Sequence, residues 1–126
     1  MARNIVIEAG ELVVDAELTD SAAATVVWEA LPFTGRANRW GDEIYFSTGL
    51  EIELDSQATE TMEVGSLAYW PPGKAFCIVF GPTPASGPDG VPRLASACNY
   101  LGTVLGDAGR FRAVGSGTTV TVRRGE

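Results

Sequence analysis

Leu12, Val14, Ala16 and Leu18 alternate with Val13, Asp15 and Glu17, a period of two that marks a strand with one face on a core. A strand-like stretch over residues 4–9, with Ile5-Val6-Ile7 at its centre, precedes it, and Ala9-Gly10-Glu11 joins the two, which predicts strands over 4–9 and 11–18. The period then changes. Thr19-Asp20-Ser21 supplies N-capping oxygens, and Ala24, Val27, Trp28 and Leu31 recur at i, i+3, i+4 and i+7, the spacing of one helix face. Pro32 cannot continue a helix. The pattern predicts one main helix, over about residues 20–31.

Downstream the pattern is strand and turn. Asp42–Phe46 reads as an apolar and aromatic strand ended by Thr48-Gly49. Leu50, Ile52 and Leu54 alternate with Glu51, Glu53 and Asp55, so that stretch has one wet face, and residues 56–61 form a polar excursion. Leu67-Ala68-Tyr69-Trp70 runs into the sharp turn Pro71-Pro72-Gly73. Ala75–Phe80 is unbroken apolar sequence, expected to be buried on both faces. Residues 81–93 carry four prolines in a long loop, the kind that is often functional. Strands are expected at 97–104 and 118–123, with glycine turns at 106–109 and 115–117. One helix among many short strands predicts a mostly β single domain over residues 1–126, a barrel or sandwich with the helix covering an end.

Composition narrows the function classes more than the fold. The formal charge of −7 opposes phosphate backbones and anionic membrane surfaces, so no nucleic-acid or membrane partner is expected. No apolar stretch approaches the length of a membrane span, and Met1-Ala2-Arg3-Asn4 leads straight into a strand, which makes a cytoplasmic location the expectation. Cys77 and Cys98 are expected to be buried free thiols. The chain has no histidine. That removes Ser–His and Cys–His nucleophilic machinery, and without a CxxC pair no metal or cofactor is expected.

Four segments carry a resemblance. Trp40-Gly41-Asp42-Glu43-Ile44-Tyr45-Phe46-Ser47-Thr48, Tyr69-Trp70-Pro71-Pro72-Gly73-Lys74-Ala75, Phe80-Gly81-Pro82-Thr83-Pro84 and Ala95-Ser96-Ala97 before Asn99 resemble the small prokaryotic cyclophilin-like family in order and spacing. The resemblance implies a closed β-barrel capped by helix. True cyclophilins are more distant: Gly65-Ser66-Leu67-Ala68, Ala75-Phe76-Cys77-Ile78 and Leu101-Gly102-Thr103-Val104 resemble three of their strands. Cyclophilins are peptidyl-prolyl cis–trans isomerases, which makes that activity the first hypothesis.

Prolyl isomerisation crosses a barrier of roughly 18–20 kcal/mol and needs no nucleophile, acid–base pair or metal. It needs an apolar pocket for the ring and a cationic donor for the twisted amide. The resemblance offers Arg36 or Arg39 for that donor, with Arg36 the candidate catalytic residue, although a solvated surface charge is the preferred reading of Arg36. The glutamine that cyclophilins carry nearby is replaced here by Trp40 or Arg39, and the tryptophan bordering their proline pocket has no counterpart. Weak or absent isomerase activity is the implication. Trp40, Tyr69, Trp70 and Phe76 are the candidate lining of an aromatic groove for a small molecule or an extended, proline-containing peptide. Trp70 before Pro71-Pro72 reads equally as a ligand platform or as a structural corner. Tyr45 and Phe46 are expected to pack inward. Glu43, a carboxylate in an otherwise apolar strand, lies either on a wet face, the preferred reading, or in a cavity with a perturbed pKa. Lys74 and the 82–92 loop are candidates for the groove rim. The alternative reading is a non-catalytic interaction or accessory protein, or a homodimer, using the same aromatics.

Overall fold

The computed structural model describes residues 3–125. Strands β1 (Arg3–Ala9) and β2 (Leu12–Leu18) form the expected hairpin, paired from Arg3↔Leu18 to Ala9↔Leu12. Helix α1 spans Ala22–Ala30. Ser21 caps it, its Oγ accepting from the Ala24 N–H at 3.1 Å, and Leu31 before Pro32 is already extended. Of the predicted face, Ala24, Val27 and Leu31 are buried; Trp28 is half-buried beneath the Arg124 guanidinium, 4.4 Å from its ring centroid.

The remaining strands are β3 (Phe33–Arg36), β4 (Asn38–Arg39), β5 (Glu43–Ser47), β6 (Thr59–Thr61), β7 (Ser66–Trp70), β8 (Ala75–Val79), β9 (Arg93–Val104) and β10 (Thr119–Arg124). They make one ten-stranded sheet in the order β3-β10-β1-β2-β9-β7-β8-β5-β4, with β6 added on β9. The mostly β architecture with one main helix is as expected, but the sheet is not closed by hydrogen bonds into the barrel that the resemblance implies. No described hydrogen-bond ladder joins the two ends of the sheet, β3 and β4. Those ends are consecutive in the chain, separated by Ala37, so one short stretch pairs with β10 on one side and then with β5 on the other. Side chains pack across this seam: Phe33 stands edge-on to Phe46 at 6.0 Å and to Phe76 at 5.9 Å between ring centroids.

Alternation along each strand sorts side chains between two apolar clusters. Ile44, Phe46, Leu67, Tyr69, Phe76 and Ile78 point into the main core with the inner faces of β1, β2 and β10. Ala68, Ala75, Cys77 and Val79 point the other way, into a smaller cluster completed by Met62, Leu94 and Cys98. Ala75–Phe80 is accordingly buried throughout, as its unbroken apolar sequence predicts. Strand β9 begins four residues before its expected start, because its first residues pair with β6 and cover the second cluster. The short β3 and β4 carry too little apolar pattern to be read from sequence.

The alternating segment 50–55 belongs to no strand. Its alternation is real in packing terms, since Leu50 and Ile52 lie against the main core, while Leu54 is exposed. Both edges of β7 are already taken by β8 and β9, so no ladder is open to it there. Side chains hold its backbone instead. The Tyr69 hydroxyl donates to the Leu50 carbonyl and accepts from the Ile52 N–H at 3.3 Å. Asn99 accepts from the Asp55 N–H and donates to the Glu53 carbonyl, both at 2.9 Å. Tyr69 and Asn99 are cross-strand partners on β7 and β9, so one buried pair straps the segment down.

Removing the Asn99 amide orphans two backbone groups, and an unsatisfied buried group costs about 1–3 kcal/mol. Asn99→Ala is expected to destabilise the protein by about 2 kcal/mol in a denaturant titration. It should also speed hydrogen exchange at the Asp55 amide more than at the amides of β1 and β2. Unchanged protection at Asp55 would refute the strap.

Candidate functional site

A tight hairpin begins the site. The Trp40 N–H donates to the Glu43 carbonyl at 2.9 Å and the Glu43 N–H to the Trp40 carbonyl at 3.2 Å, leaving Gly41-Asp42 as a two-residue turn. Gly41 has φ of +60°, and a Cβ there would lie 2.7 Å from Pro84 Cδ. Only glycine satisfies both the turn and the close approach of the 81–93 loop. The hairpin therefore sets Trp40 directly opposite Glu43. Loop 81–93 is docked on it, with the Asp42 N–H donating to the Pro82 carbonyl at 2.9 Å.

Tyr45 follows Glu43 on the outer face of β5, and Trp70 stands near it on the outer face of β7. Their rings meet edge to face, 6.1 Å apart at 71°. Trp70 is fixed from two sides. Its indole N–H donates to Ser96 Oγ at 2.7 Å, and a Cβ at Gly73 would come within 2.8 Å of its six-membered ring. The turn Pro71–Gly73 is thus the seat of Trp70, and glycine is what lets the ring lie on it. Trp70–Pro71 is trans; among the described residues the cis peptide bond is Leu31–Pro32.

Trp40, Glu43, Tyr45, Trp70, Leu94, Ala95 and Cys98 surround a partly enclosed cavity of about 170 Å3. A larger hollow of about 500 Å3, similarly enclosed, is lined by residues such as Asp20, Ser56, Gln57 and Tyr100. Three aromatic walls around a buried carboxyl distinguish the first.

Strand alternation splits the predicted aromatic set. Trp40 and Trp70 come together at the cavity. Tyr69 and Phe76 are on the opposite face of the sheet, each 1% exposed in the main core. Adjacent residues of a strand point to opposite faces, so Tyr69 and Trp70 could not share a wall. Tyr45, expected inward, faces the cavity, while Phe46 does pack inward. Lys74 is exposed and paired with Glu51 at 3.1 Å rather than at the cavity rim.

Neither candidate arginine lines the cavity. Arg36 is exposed on β3, on the outward side of a strand whose Phe33 faces the core. Arg39 is engaged elsewhere. It bonds Asp42 Oδ1 at 3.0 Å and the carbonyls of Gly41, Arg112 and Val114, with its guanidinium 4.9 Å from the Phe80 ring centroid. It ties the hairpin to the turn that follows β9.

Glu43, like Tyr45, Tyr69 and Phe76, departs from its preferred expected position; it takes the alternative one, at a cavity. It is not on a wet face: it is 5% exposed, and its Oε1 is buried with no hydrogen-bond partner among the described residues. Burial pushes its pKa up to about 7, opposed by a hydrogen bond from the Cys77 thiol. The Cys77 thiol is itself held well above its ordinary range by hydrogen bonding with Cys98, then by burial, then by the Glu43 charge. The available signal was the acid's position in an otherwise apolar strand.

Between pH 4.5 and about 7 the folded protein retains a proton on Glu43 that the unfolded chain has released. This acid therefore lowers stability progressively as pH rises through that window, and the penalty is constant above it. Glu43→Gln should match the wild type near pH 4.5 and exceed it by roughly 3 kcal/mol at pH 8, read from denaturation midpoints across pH. Parallel pH profiles for the two proteins would contradict the buried, raised carboxyl.

A family profile described as Cyclophilin-like matches residues 3–123. The solution structure of a hypothetical protein from Archaeoglobus fulgidus is similar, with a TM-score of 0.81 and 34% sequence identity over 98% of this chain and 95% of that one. No curated protein matches the chain. No described helix is long and apolar enough to cross a membrane. With the match running from β1 to β10 and the resembling segments forming the hairpin, the Trp70 seat and the docked loop, the chain belongs to the cyclophilin-like family.

Proposed function

We propose that this protein binds a small ligand, or a single side chain of a partner, between Trp40, Tyr45 and Trp70, and that it does not catalyse prolyl isomerisation. One observation carries the reading: three aromatic rings converge on a buried carboxyl at a cavity with apolar walls. A volume of about 170 Å3 suits a compact group better than an extended peptide. The walls are preorganised by the hairpin, the Ser96 bond and the Gly73 seat, so little ordering cost attends binding.

The isomerase reading needs a cationic donor beside the apolar pocket. Arg36 points to solvent and the donors of Arg39 are spent on Asp42 and backbone carbonyls, which argues against it. The interaction-protein reading wants broad exposed aromatics. Trp70 is half-buried on its turn, which favours a recessed site over a flat docking face.

NMR exchange measurements on Xaa-Pro peptides are expected to give the buffer rate with or without the protein. Fragment-sized apolar compounds should shift the Trp40 and Trp70 indole signals, and Trp70→Leu should weaken their binding by roughly tenfold, in line with losing one large aromatic contact. Accelerated exchange that Arg36→Ala abolishes would overturn the proposal in favour of the enzyme.

A further inference from the structure

We propose that the ligand of this cavity is a protonated alkylamine, its ammonium bonded to the Glu43 carboxylate and its carbons packed against Trp40, Tyr45 and Trp70. The assignment rests on the small-ligand reading above and specifies its chemistry.

The carboxyl is the first reason. A buried carboxylate is tolerated when a cation and hydrogen-bond donors compensate it. Glu43 lacks the cation and most of the donors: Oε1 is unpartnered, the weak Cys77 thiol is its one protein donor among the described residues, and no lysine or arginine lines the cavity. The groups that face it are the Cys77 thiol from β8, the Cys98 thiol from β9 and, on its own strand, the Tyr45 phenol. None of these is a cation. A ligand that brings an N–H and a positive charge supplies both missing partners, whereas an anion would add repulsion.

The rings are the second reason. Aromatic faces carry negative charge density and attract ammonium groups, and several walls around one cation make a cage. Tyr45 and Trp70 meet at 71°, giving two walls of a corner, and Trp40 stands across the hairpin from Glu43. The Trp70 N–H is already committed to Ser96, so this indole offers its ring and not its donor. The net charge of −7 adds a long-range attraction for cations. A free alkylamine and the side chain of a lysine in a partner present the same group.

The test titrates the full chain with n-butylammonium, n-butanol and butyrate, following tryptophan emission and indole NMR signals. At pH 8 n-butylammonium is expected to bind at least about tenfold more tightly than n-butanol. That preference should shrink toward pH 5 as Glu43 takes up a proton, and should vanish in Glu43→Gln. Should the variant fail to fold, the pH dependence in the wild type decides. Equal binding of n-butylammonium and n-butanol, or tighter binding of butyrate, overturns the amine assignment but leaves the small-ligand site standing. No response of Trp40 or Trp70 to any of the three overturns both. Tighter binding of an acetyl-Gly-Lys-Gly-amide peptide than of n-butylammonium would identify a partner's lysine as the source, and the reverse order a free amine.

Discussion

Strand β8 is apolar on both faces, and its neighbours are arranged around that constraint. A sheet that buried only one side would leave Ala75, Cys77 and Val79 in water. Burying the second side calls for a second set of covering groups, which the chain supplies from the start of β9, from Met62 and from the aromatic residues Tyr45 and Trp70. Burial of apolar surface drives both coverings, but they differ in completeness. The inner cluster is closed by facing strands and the helix. The outer one is covered by short strand β6, the start of β9 and aromatic rings, and the cavity lies where that cover is incomplete.

The same arrangement explains the chemistry of Glu43. An acid on the outer face of β5 would be solvated in a one-sided sheet. Here the outer face is roofed, so the carboxyl lies among thiols, rings and aliphatic groups, and its charge is penalised. Its own apolar strand only hints at this. The effect comes from Leu94 and Cys98, some fifty residues away in sequence, and from a hairpin that holds Trp40 across from it.

Buried and half-buried polar side chains take over where ladders end. Tyr69 and Asn99 secure segment 50–55, Arg39 ties the hairpin to the turn after β9, and Ser96 orients Trp70. Each replaces strand pairing at a place where the sheet has no free edge or where a loop must approach it. The seam between β3 and β4 follows the same logic, with phenylalanine packing across a junction that carries no ladder.

Local pattern was enough to place the β1–β2 hairpin, helix α1 with its Ser21 cap, the doubly buried β8 and the Pro71–Gly73 turn, because each depends on periodicity or on backbone chemistry of neighbouring residues. The family was legible in the segments that became the hairpin, the Trp70 seat and the docked loop. Period two could also have separated Tyr69 from Trp70, since alternation alone sends them to opposite faces. What only the tertiary structure decided was which face had a roof. That choice made Trp70 a cavity wall and Tyr69 a core strap, turned Glu43 from a presumed surface acid into a buried one, and left Arg36 in solvent. Burial on an outer sheet face depends on segments distant in the chain, and no local pattern encodes it.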